Sequence, residues 1–499
     1  MAPSTITSRT KAAGKEAGHS LSQASLSPAL NEALKKLRTD FSVSTEKLRE
    51  IVAEFEKELA AGLEKQRQNI AMYPTWVFGL PSGREEGQYL TIDLGGTNLR
   101  VCWITLNGPD HHTEIEQDMY KLPSHVKTGS AEELWNLIAD SLANFIKKHN
   151  LKGTSEDPLP LGFTFSYPVQ QDHVDRGTLV TWTKGFEIDG VEGQDVVVQL
   201  GEAIEKRNLP VRIVALVNDT VGAMIASAYN DPETIIGAIF GTGCNAAYME
   251  NAGSVPKLRE FAAGADLKPD TPIAINCEYG AFDNTHCVLP RTKYDVEIDN
   301  KSPKRNEQAF EKMSAGLYLG ELFRLVLVDL SEQGLLFRGE DVERIRSQAY
   351  CMDTGFLSSQ ENDTLDARQD RFEELVGFRP SVEDLEFCHL LAEVIAVRGA
   401  RLSACGIAAI CKKKGITSGH VAADGSVANK HPHFKARWKQ AMGEILEWPE
   451  DRETDPITLT SAEDGSGIGA AIITAMTMKN IREGNLVGIQ DGGPFAKRG

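Results

Sequence analysis

The sequence has few basic residues for its acidic content. Lys and Arg number 53 against 71 Asp and Glu, which gives a net charge of −18 and a pI near 5.2. Proteins that bind nucleic acids or anionic membranes carry clustered Lys and Arg, so the composition argues against both kinds of partner. The composition does not argue against an anionic small molecule as ligand. Such a ligand needs only a local site of backbone N–H groups, one lysine and a cation.

A long uncharged run is also missing. No stretch approaches the roughly 18 apolar residues that a bilayer-crossing helix needs. Residues 1–23 have no apolar segment typical of a secretory signal. We therefore expect a cytoplasmic protein with residues 1–27 as a disordered tail.

The cysteines do not form a recognisable pairing or metal pattern. None of the eight is spaced C-x-x-C, and several lie inside apolar runs. Buried free thiols in a reducing compartment are expected. Cys277, His286 and Cys287 are close in sequence, but their spacing fits no common zinc pattern.

The usual nucleotide-binding loops are absent or incomplete. The only Gly-Lys pair, Gly14-Lys15, precedes Glu16, so there is no Walker A loop. The segment GSGIGA at 465–470 matches G-x-G-x-x-A, but it begins 35 residues from the end and leaves no room for a dinucleotide-binding half. We interpret it as a glycine turn at a helix N-terminus near a nucleotide, with Asp424-Gly425-Ser426 as a companion loop.

What the sequence contains is typical of a globular protein with more than one domain. It has 499 residues, of which 41% are apolar and 25% charged. Apolar strands such as 211–217 alternate with helical patterns such as 134–146 and 384–413, which predicts an α/β fold. A helix capped by Thr45 and a loop over 74–87 are expected before the first domain.

Residues 90–106, LTIDLGGTNLRVCWITL, form the stretch around which the chain is organised. Two apolar runs flank Gly95 and Gly96, which predicts a β-hairpin. Glycines bring backbone N–H groups close to a ligand, and Thr97 and Asn98 add donors, so the turn suits a phosphate. Asp93, at the end of the first strand, would lie where a divalent cation could need a carboxylate.

A second copy of this pattern occurs at 235–249, IIGAIFGTGCNAAYM. Its turn is Gly241-Thr242-Gly243, and Ile239 stands where the first copy has Asp93. Two such hairpins around one polyphosphate resemble the arrangement of the actin-like and sugar-kinase ATPases. Two unrelated hairpins are the alternative.

Asn218-Asp219 follows the strand 211–217 directly. Simple N-capping of the next helix is one interpretation. The other is a carboxylate at the carboxyl end of a strand, where α/β sheets place ligands, able to accept a hydroxyl proton. Similarly, Lys184, Glu278 and Glu311 are either solvated surface charges or members of a site.

Seven segments together are similar to those of one family. They are LTIDLGGTNLRV, LGFTFSYPV, TWTKGF, VNDTVGAMIASAY, IGAIFGTGCNAAYME, NCEYGAFDN and AEDGSGIGAA, in this order. With these motifs in register, the sequence resembles the hexokinase/glucokinase family from about residue 30 to residue 488, and fungal glucokinases most of all.

The resemblance implies an α/β, two-domain, actin-like/sugar-kinase (ribonuclease H-like) fold with a sugar in the interdomain cleft. It implies glucose contacts from Ser166, Thr183, Lys184, Asn218, Asp219, Asn245, Glu278 and Glu311. It places ATP and Mg²⁺ among Asp93, Gly95, Gly96, Thr97, Asn98, Gly241, Thr242, Gly243, Gly425, Ser426 and Gly465, with Asp93 near the metal, directly or through water. One position departs from the family: Met119 replaces a lysine of several members, and Lys121 is nearby.

The expected domains are a tail (1–27), a helical segment packing on the large domain (28–89), a small domain (90–228), a large domain whose last helix returns to the small one (229–488) and a second tail (489–499). The expected reaction is ATP-dependent phosphorylation of glucose, and of hexoses such as mannose, at the 6-hydroxyl, the first step of glycolysis. Asp219 would be the base and Lys184 the cation facing the transferred phosphoryl group. A monomer or weak homodimer is expected.

Two alternatives belong to other functional classes. A catalytically silent sugar sensor would be marked by loss of Asp219, Lys184 or a hairpin glycine, and all of these are present. An actin- or chaperone-like ATPase would have no reason to carry the sugar-ready polar residues.

Overall fold

The computed structural model describes residues 26–96, 98–109, 113–183, 185–261, 267–462, 464–490 and 493–497. Two sheets covered by helices form a smaller and a larger body. In chain order the strands are β1 (Tyr73–Phe78), β2 (Glu86–Leu94), β3 (Asn98–Asn107), β4 (Glu114–Lys121), β5 (Leu159–Phe165), β6 (Val169–His173), β7 (Arg176–Leu179), β8 (Val211–Val217), β9 (Thr234–Phe240), β10 (Cys244–Asn251), β11 (Pro272–Asn276), β12 (Gly419–Asp424) and β13 (Ile457–Ser461).

The helices surround these sheets and connect their strands. In chain order they are α1 (Pro28–Phe41), α2 (Thr45–Glu64), α3 (Ala131–Lys148), α4 (Val196–Glu205), α5 (Asp219–Asn230), α6 (Lys293–Lys301), α7 (Ala309–Ser314), α8 (Gly316–Glu332), α9 (Glu343–Ser347), α10 (Thr354–Asn362), α11 (Leu365–Val376), α12 (Val382–Lys414), α13 (Ser426–Lys430), α14 (Phe434–Leu446) and α15 (Gly465–Arg482).

The smaller body is built on a sheet of order β4-β3-β2-β5-β8. β2, β3 and β4 are successive antiparallel strands, whereas β5 and β8 run parallel to β2. The first predicted hairpin is confirmed, with Leu94 paired to Leu99 next to its turn. The carboxyl ends of β2, β5 and β8 therefore share one edge of the sheet, where α/β proteins bind ligands.

The larger body is built on a sheet of order β1-β11-β10-β9-β12-β13. β9 and β10 form the second predicted hairpin, which is confirmed by the pairing of Phe240 with Cys244. β12 runs parallel to β9 and β13, so the loop after β12 lies beside the β9–β10 turn.

Helix α12 is the long core helix of the larger body. Ser381 and Asp384 form a capping box at its start, and left-handed Gly415 ends it. By length and composition, this helix in the described part of the chain could cross a membrane, but 83% of its apolar window is buried inside the protein. That burial is the expected environment of a core helix.

The two bodies meet through α5 and α15. α5 packs on the larger sheet and α15 on the smaller one, and the helices cross where Gly222 faces Gly469. A Cβ on Gly469 would lie 2.1 Å from the carbonyl oxygen of Gly222. Beneath α5, a Cβ on Gly237 would lie 2.2 Å from the carbonyl oxygen of Thr220. Glycine is therefore required for this close backbone approach.

The N-terminal helices pack on the larger body. Ser44, and not the predicted Thr45, caps α2, because the Ser44 side chain accepts the backbone N–H of Lys47. The ring of Phe55 on α2 stacks on that of Phe282, with ring centroids 3.7 Å apart, and meets Phe310 edge-on. α2 thus supports the segments that follow β11 and begin α7.

Three sequence expectations are wrong in detail. The segment 74–87 is not simply a loop, because β1 pairs with β11 and β2 begins at Glu86. Leu26 is buried, and the Ser27 side chain caps α1, so the first tail ends before them. The second tail is partly ordered, because Ile489 and Phe495 are buried. Residues 1–25, 491–492 and 498–499 lie outside the described residues.

The domain boundaries also differ from those expected. Residue 90 falls inside β2, and residue 228 falls inside α5, which lies on the larger sheet. α15 packs against β2, β5 and β8 of the smaller body. Each body thus contributes one helix to the crossing.

Glu58 on α2 is a partly buried carboxylate that faces the segment after β11. Its Oε1 accepts the backbone N–H of Asp283 at 3.1 Å, and its Oε2 is buried without a hydrogen-bond partner among the described residues. Burial raises the pKa of Glu58 to about 7, while the Asp283 N–H and the nearby Asn69 side chain partly offset the shift; the charges of Asp283 and Glu54 add to it.

Replacing Gly469 by Ala should destabilise the protein, because the added Cβ forces α5 and α15 apart. We expect a loss of about 2–3 kcal/mol in the free energy of unfolding, measured by urea denaturation. Gly201→Ala in α4 is the matched control, since a Cβ there meets nothing within 4 Å and helix propensity favours Ala by about 1 kcal/mol. Equal stabilities for the two variants would contradict the close crossing.

Replacing Glu58 by Gln should make stability less dependent on pH. The raised pKa means that the folded protein holds this proton more tightly than the unfolded chain, so the contribution of Glu58 to stability falls as pH rises from about 4.5 to about 7. Relative to the unsubstituted protein, Glu58→Gln should gain about 1 kcal/mol between these limits, after allowance for partial exposure.

Urea unfolding on both sides of that pH window measures this gain. The exposed Glu64→Gln, on the same helix, is the control and should show no comparable change with pH. A difference between Glu58→Gln and the unsubstituted protein that is the same at both pH values would contradict the shifted pKa.

Candidate active site

A small cavity of about 50 Å³ lies where the strand ends of the two bodies meet. It brings together most of the residues assigned to sugar binding from the sequence. Its lining residues are Ser166, Thr183, Asn218, Asp219, Asn245, Glu278 and Glu311, with Pro168, Ile239, Gly243, Cys244 and Gln308. Lys184, the remaining predicted member, lies outside the described residues.

Asn218 and Asp219 stand between β8 and α5. Asn218 is the N-cap, and its Oδ1 accepts the backbone N–H of Thr220 at 2.9 Å. The capping interpretation is therefore correct for Asn218. Asp219 is the first helical residue and also lines the cavity, where the helix N-terminus favours its negative charge.

Glu278 is held by a small amide network. Its backbone N–H donates to Asn245 Oδ1 at 2.9 Å, and its Oε1 accepts from Asn276 Nδ2 at 2.8 Å. Asn245 Nδ2 in turn donates to Asn276 Oδ1 at 2.7 Å. Glu278 has a φ of +55°, an unusual conformation for a residue other than glycine, so the network fixes a strained backbone next to the cavity.

Glu311 connects the cavity to the second hairpin. Its Oε2 accepts the backbone N–H of Cys244 at 3.1 Å, and a Cβ on Gly243 would lie 2.5 Å from the same oxygen. Burial raises the pKa of the Cys244 thiol, with the Glu311 and Glu278 charges adding to the effect. Cys244 is thus an inert thiol and contributes shape to the cavity.

Asp93 lies in an ionic cluster at the end of β2. Asp93 Oδ2 is 2.7 Å from Arg100 Nη2 and accepts the Ser466 hydroxyl at 2.7 Å. Arg100 Nη1 also pairs with Asp464 at 2.5 Å. Burial alone would lower the pKa of Arg100, but its carboxylate partners outweigh burial and raise the pKa. The cluster joins the first hairpin to the N-terminus of α15.

The second hairpin turn lies against the loop after β12. A Cβ on Gly425 would lie 2.6 Å from the carbonyl oxygen of Phe240, and the Gly425 φ is +107°. Glycine is therefore required for Gly425 to contact the second turn. Asp424 Oδ1 accepts the Gly425 N–H at 2.6 Å, and burial, aided by the Asp219 charge, raises the pKa of Asp424. The predicted Gly241, Thr242, Gly243, Gly425 and Ser426 thus form one glycine-rich surface.

The first turn has supports from two other segments. The Tyr167 hydroxyl donates to the Gly95 carbonyl at 3.3 Å, and Lys127 Nζ donates to the Gly96 carbonyl at 2.7 Å. Burial raises the pKa of Tyr167, with the charges of Asp93 and Asp219 contributing. Tyr167 thus connects the first turn to its sequence neighbours Ser166 and Pro168, which line the small polar cavity.

Lys121 is paired with Asn98 on the strand beside the first turn, whereas Met119 is paired with Arg100. Met119 is 61% exposed. The register thus brings Lys121 closer to the turn than Met119 along β4. Thr97 lies outside the described residues, and Gly465 packs on Ala223 at the start of α5.

A larger cavity of about 780 Å³ begins at Ser426. It extends between α10, α11 and α13, and its lining includes Thr354, Ser358, Lys430 and His431. This cavity shares Ser426 with the glycine-rich surface and has none of its described lining residues in common with the small polar cavity.

Sequence reasoning missed five polar residues of the site: Arg100, Lys127, Asn276, Gln308 and Ser466. Arg100, Asn276 and Ser466 all fall within quoted motifs. Arg100 lies directly across the first hairpin from Asp93, so the predicted hairpin already implied this pair. Ser466 reaches Asp93 only through the fold. For Gln308, the only local signal is its position before α7.

Comparison with known proteins gives one family over most of the chain. Two family models, each described as hexokinase, match residues 33–229 and 235–476. The hexokinase of Emericella nidulans is 52% identical over 467 residues, covering 93% of this chain and 94% of that protein. Hexokinase-1 of Saccharomyces cerevisiae is 48% identical over 472 residues, covering 94% and 96%.

A solved structure shows the same architecture. The structure described as hexokinase from Schistosoma mansoni complexed with glucose has a TM-score of 0.81 to this chain and 34% sequence identity. It covers 90% of this chain, which in turn covers 99% of it. Together with the fold and the near full-length matches, this similarity establishes that the chain belongs to the hexokinase family.

Proposed function

We propose that the chain transfers the terminal phosphoryl group of ATP to the 6-hydroxyl of glucose, and of related hexoses such as mannose. The products are glucose 6-phosphate and ADP, as in the first step of glycolysis. The observation that carries the proposal is a small polar cavity lined by the second glycine-turned hairpin, with the turn of the first hairpin bonded to Tyr167 beside the cavity residue Ser166. Hexokinase family membership supports it.

The cavity has the chemistry of a sugar site. Each sugar hydroxyl both donates and accepts, and the amides of Asn218 and Asn245, the hydroxyls of Ser166 and Thr183 and the carboxylates of Asp219, Glu278 and Glu311 supply both kinds of partner. A sugar lacking a bonded hydroxyl would leave a buried polar group unpaired, which is costly.

The two hairpins suit the phosphates of ATP. The first turn contains Gly95, Gly96 and Asn98, and the second contains Gly241, Thr242 and Gly243. The adjoining surface contains Gly425, Ser426 and Gly465. We place the ribose and base in the cavity of about 780 Å³ that begins at Ser426. Thr97 is expected to belong to the first turn, as its sequence position implies.

The residues beside the first turn fit magnesium bound to ATP. Asp93 provides a carboxylate and Ser466 a hydroxyl, and Mg²⁺ needs few protein oxygens when phosphates supply the rest. The ion would neutralise negative charge on the phosphates. Asp93 is the residue to which we assign it, directly or through water.

In the mechanism that we propose, Asp219 accepts the proton of the sugar 6-hydroxyl as its oxygen meets the terminal phosphorus in line. Such a base contributes about 10²–10⁴-fold. Positioning and the hairpin N–H groups contribute more, because phosphoryl transfer has a loose transition state. Lys184 is assigned to face the transferred group from its place after Thr183. Closure of the bodies excludes water, which competes as an acceptor.

The remaining assignments follow from the sequence. We propose a cytoplasmic enzyme that acts as a monomer or weak homodimer, without a nucleic-acid or membrane partner. A sensor without catalysis is disfavoured because Asp219, Lys184 and the hairpin glycines are all present in the sequence.

ADP release should depend on a hexose. With ATP and Mg²⁺, a coupled assay across glucose, mannose and fructose should show release with glucose and almost none without sugar. A silent sensor gives no release, and a plain ATPase releases ADP regardless of sugar. Either result would contradict the proposed function.

Asp219→Ala should retain glucose binding and lose turnover. The expected fall in kcat is at least about 10²-fold, because the sugar hydroxyl loses its base. The exposed Asp172→Ala in β6 is the control and should keep normal kcat. Calorimetric titration with glucose, run beside the kinetics, separates binding from chemistry. Near-normal turnover in Asp219→Ala would remove Asp219 as the base.

A further inference from the structure

The mouth of the sugar cavity is a second, wider space of about 630 Å³. It lies between residues 181–183 and 185–192 of the smaller body and the segment 302–318 of the larger one. It shares Thr183, Gln308 and Glu311 with the sugar cavity. Trp182 and Phe186, on one wall, belong to the core of the smaller body. Contacts across this mouth therefore join the two bodies close to the sugar cavity.

Lys304 makes such a contact. Its ammonium donates to the Trp182 carbonyl oxygen at 2.7 Å and to the Thr181 hydroxyl oxygen. The Thr181 hydroxyl in turn donates to Glu192 Oε1 at 3.2 Å, and the Trp182 N–H donates to the same oxygen at 2.5 Å. The hydrogen-bonded chain thus runs from the Lys304 ammonium of the larger body to the Glu192 carboxylate of the smaller body.

The backbone that carries Lys304 is itself anchored. Lys312 Nζ donates to the Lys304 carbonyl at 2.7 Å and to Asp299 Oδ1 at 2.8 Å. The Asn306 N–H donates to the same Asp299 oxygen at 3.0 Å. Lys312 is 4% exposed, so this anchor is buried. The backbone at Lys304 is therefore held in place, and the Lys304 side chain reaches the smaller body.

The segment that Lys304 holds leads directly into the sugar cavity. Thr183 follows Trp182 in sequence and lines the cavity, and the Phe186 N–H donates to the Thr183 carbonyl at 3.1 Å. Trp182 packs edge-on against Tyr167, which adjoins Ser166. A displacement of residues 181–182 would therefore move Thr183 and Ser166, which both line the cavity.

The geometry points to Lys304 as a positioning residue that couples sugar binding to the approach of the two bodies. Its ammonium holds residues 181–183 over the sugar cavity without touching the reacting atoms. This inference rests on the proposed function, since it concerns the same sugar site. It predicts that loss of the Lys304 contact weakens glucose retention and leaves ATP binding unchanged.

A double-mutant cycle tests the contact. Lys304→Met should raise the glucose KM and the calorimetric Kd about tenfold, because charged hydrogen bonds are lost. kcat at saturating glucose and the KM for ATP should stay within about twofold. Thr181→Val, nearly isosteric, should weaken glucose binding about threefold, and the double variant should be no weaker than Lys304→Met alone.

Lys301→Met is the matched control, because the exposed Lys301 lies nearby and pairs with Glu297 on its own helix. It should bind glucose normally. Thermal unfolding checks each variant; if Lys304→Met does not fold, Lys304→Ala, which also removes the donor, replaces it in the cycle. Unchanged glucose affinity in the folded Lys304 variant, or strictly additive losses in the cycle, would overturn the inference.

The experiment also separates this inference from the proposed function. Calorimetry with glucose reports on the Lys304 contact whether or not the protein turns over. Absence of glucose-dependent ADP release in the unsubstituted protein would defeat the proposed function. Normal release, together with an unaffected Lys304 variant, would defeat only the role of Lys304.

Discussion

The structure depends on the backbone contact between α5 and α15 at Gly222 and Gly469. A side chain at Gly469 would be 2.1 Å from a carbonyl oxygen, so the two helices approach as closely as their backbones allow. One helix lies on each sheet, and their N-termini carry Asp219 and Ser466. The crossing therefore sets the spacing between the sugar-assigned cavity and the Asp93 cluster.

Local chemistry was enough to predict the elements nearest the site. Glycine turns between apolar runs identified both hairpins, and the apolar run before Asn218 gave the bounds of β8, Val211–Val217. The ends of these elements carry the predicted residues, because parallel strands align their carboxyl ends. The family resemblance then added residues such as Ser166 and Asn245, which no local pattern distinguishes from ordinary polar residues.

Features that depend on distant contacts were not predictable. β1 was missed because Pro74 and the left-handed Trp76 interrupt its pattern, and its pairing with β11 has an irregular register. β4 is mostly exposed and polar, so it lacks an apolar face. Ser466, a partner of Asp93, was missed because it lies 373 residues away in sequence and only the fold brings it close. Arg100 lies opposite Asp93 in the predicted hairpin, so the sequence did contain a signal for that pair.

The pairing of Asp93 with Arg100 and Ser466 fixes this carboxylate before magnesium and the nucleotide would reach the site in the proposed reaction. Arg100 shares its one positive charge between Asp93 and Asp464, so these three side chains keep a net negative charge beside the turn. In the proposed reaction, magnesium would arrive bound to the nucleotide, with phosphate oxygens as most of its ligands. Arg100 and Ser466 hold Asp93 in place, so the ion would meet a carboxylate whose position is already fixed.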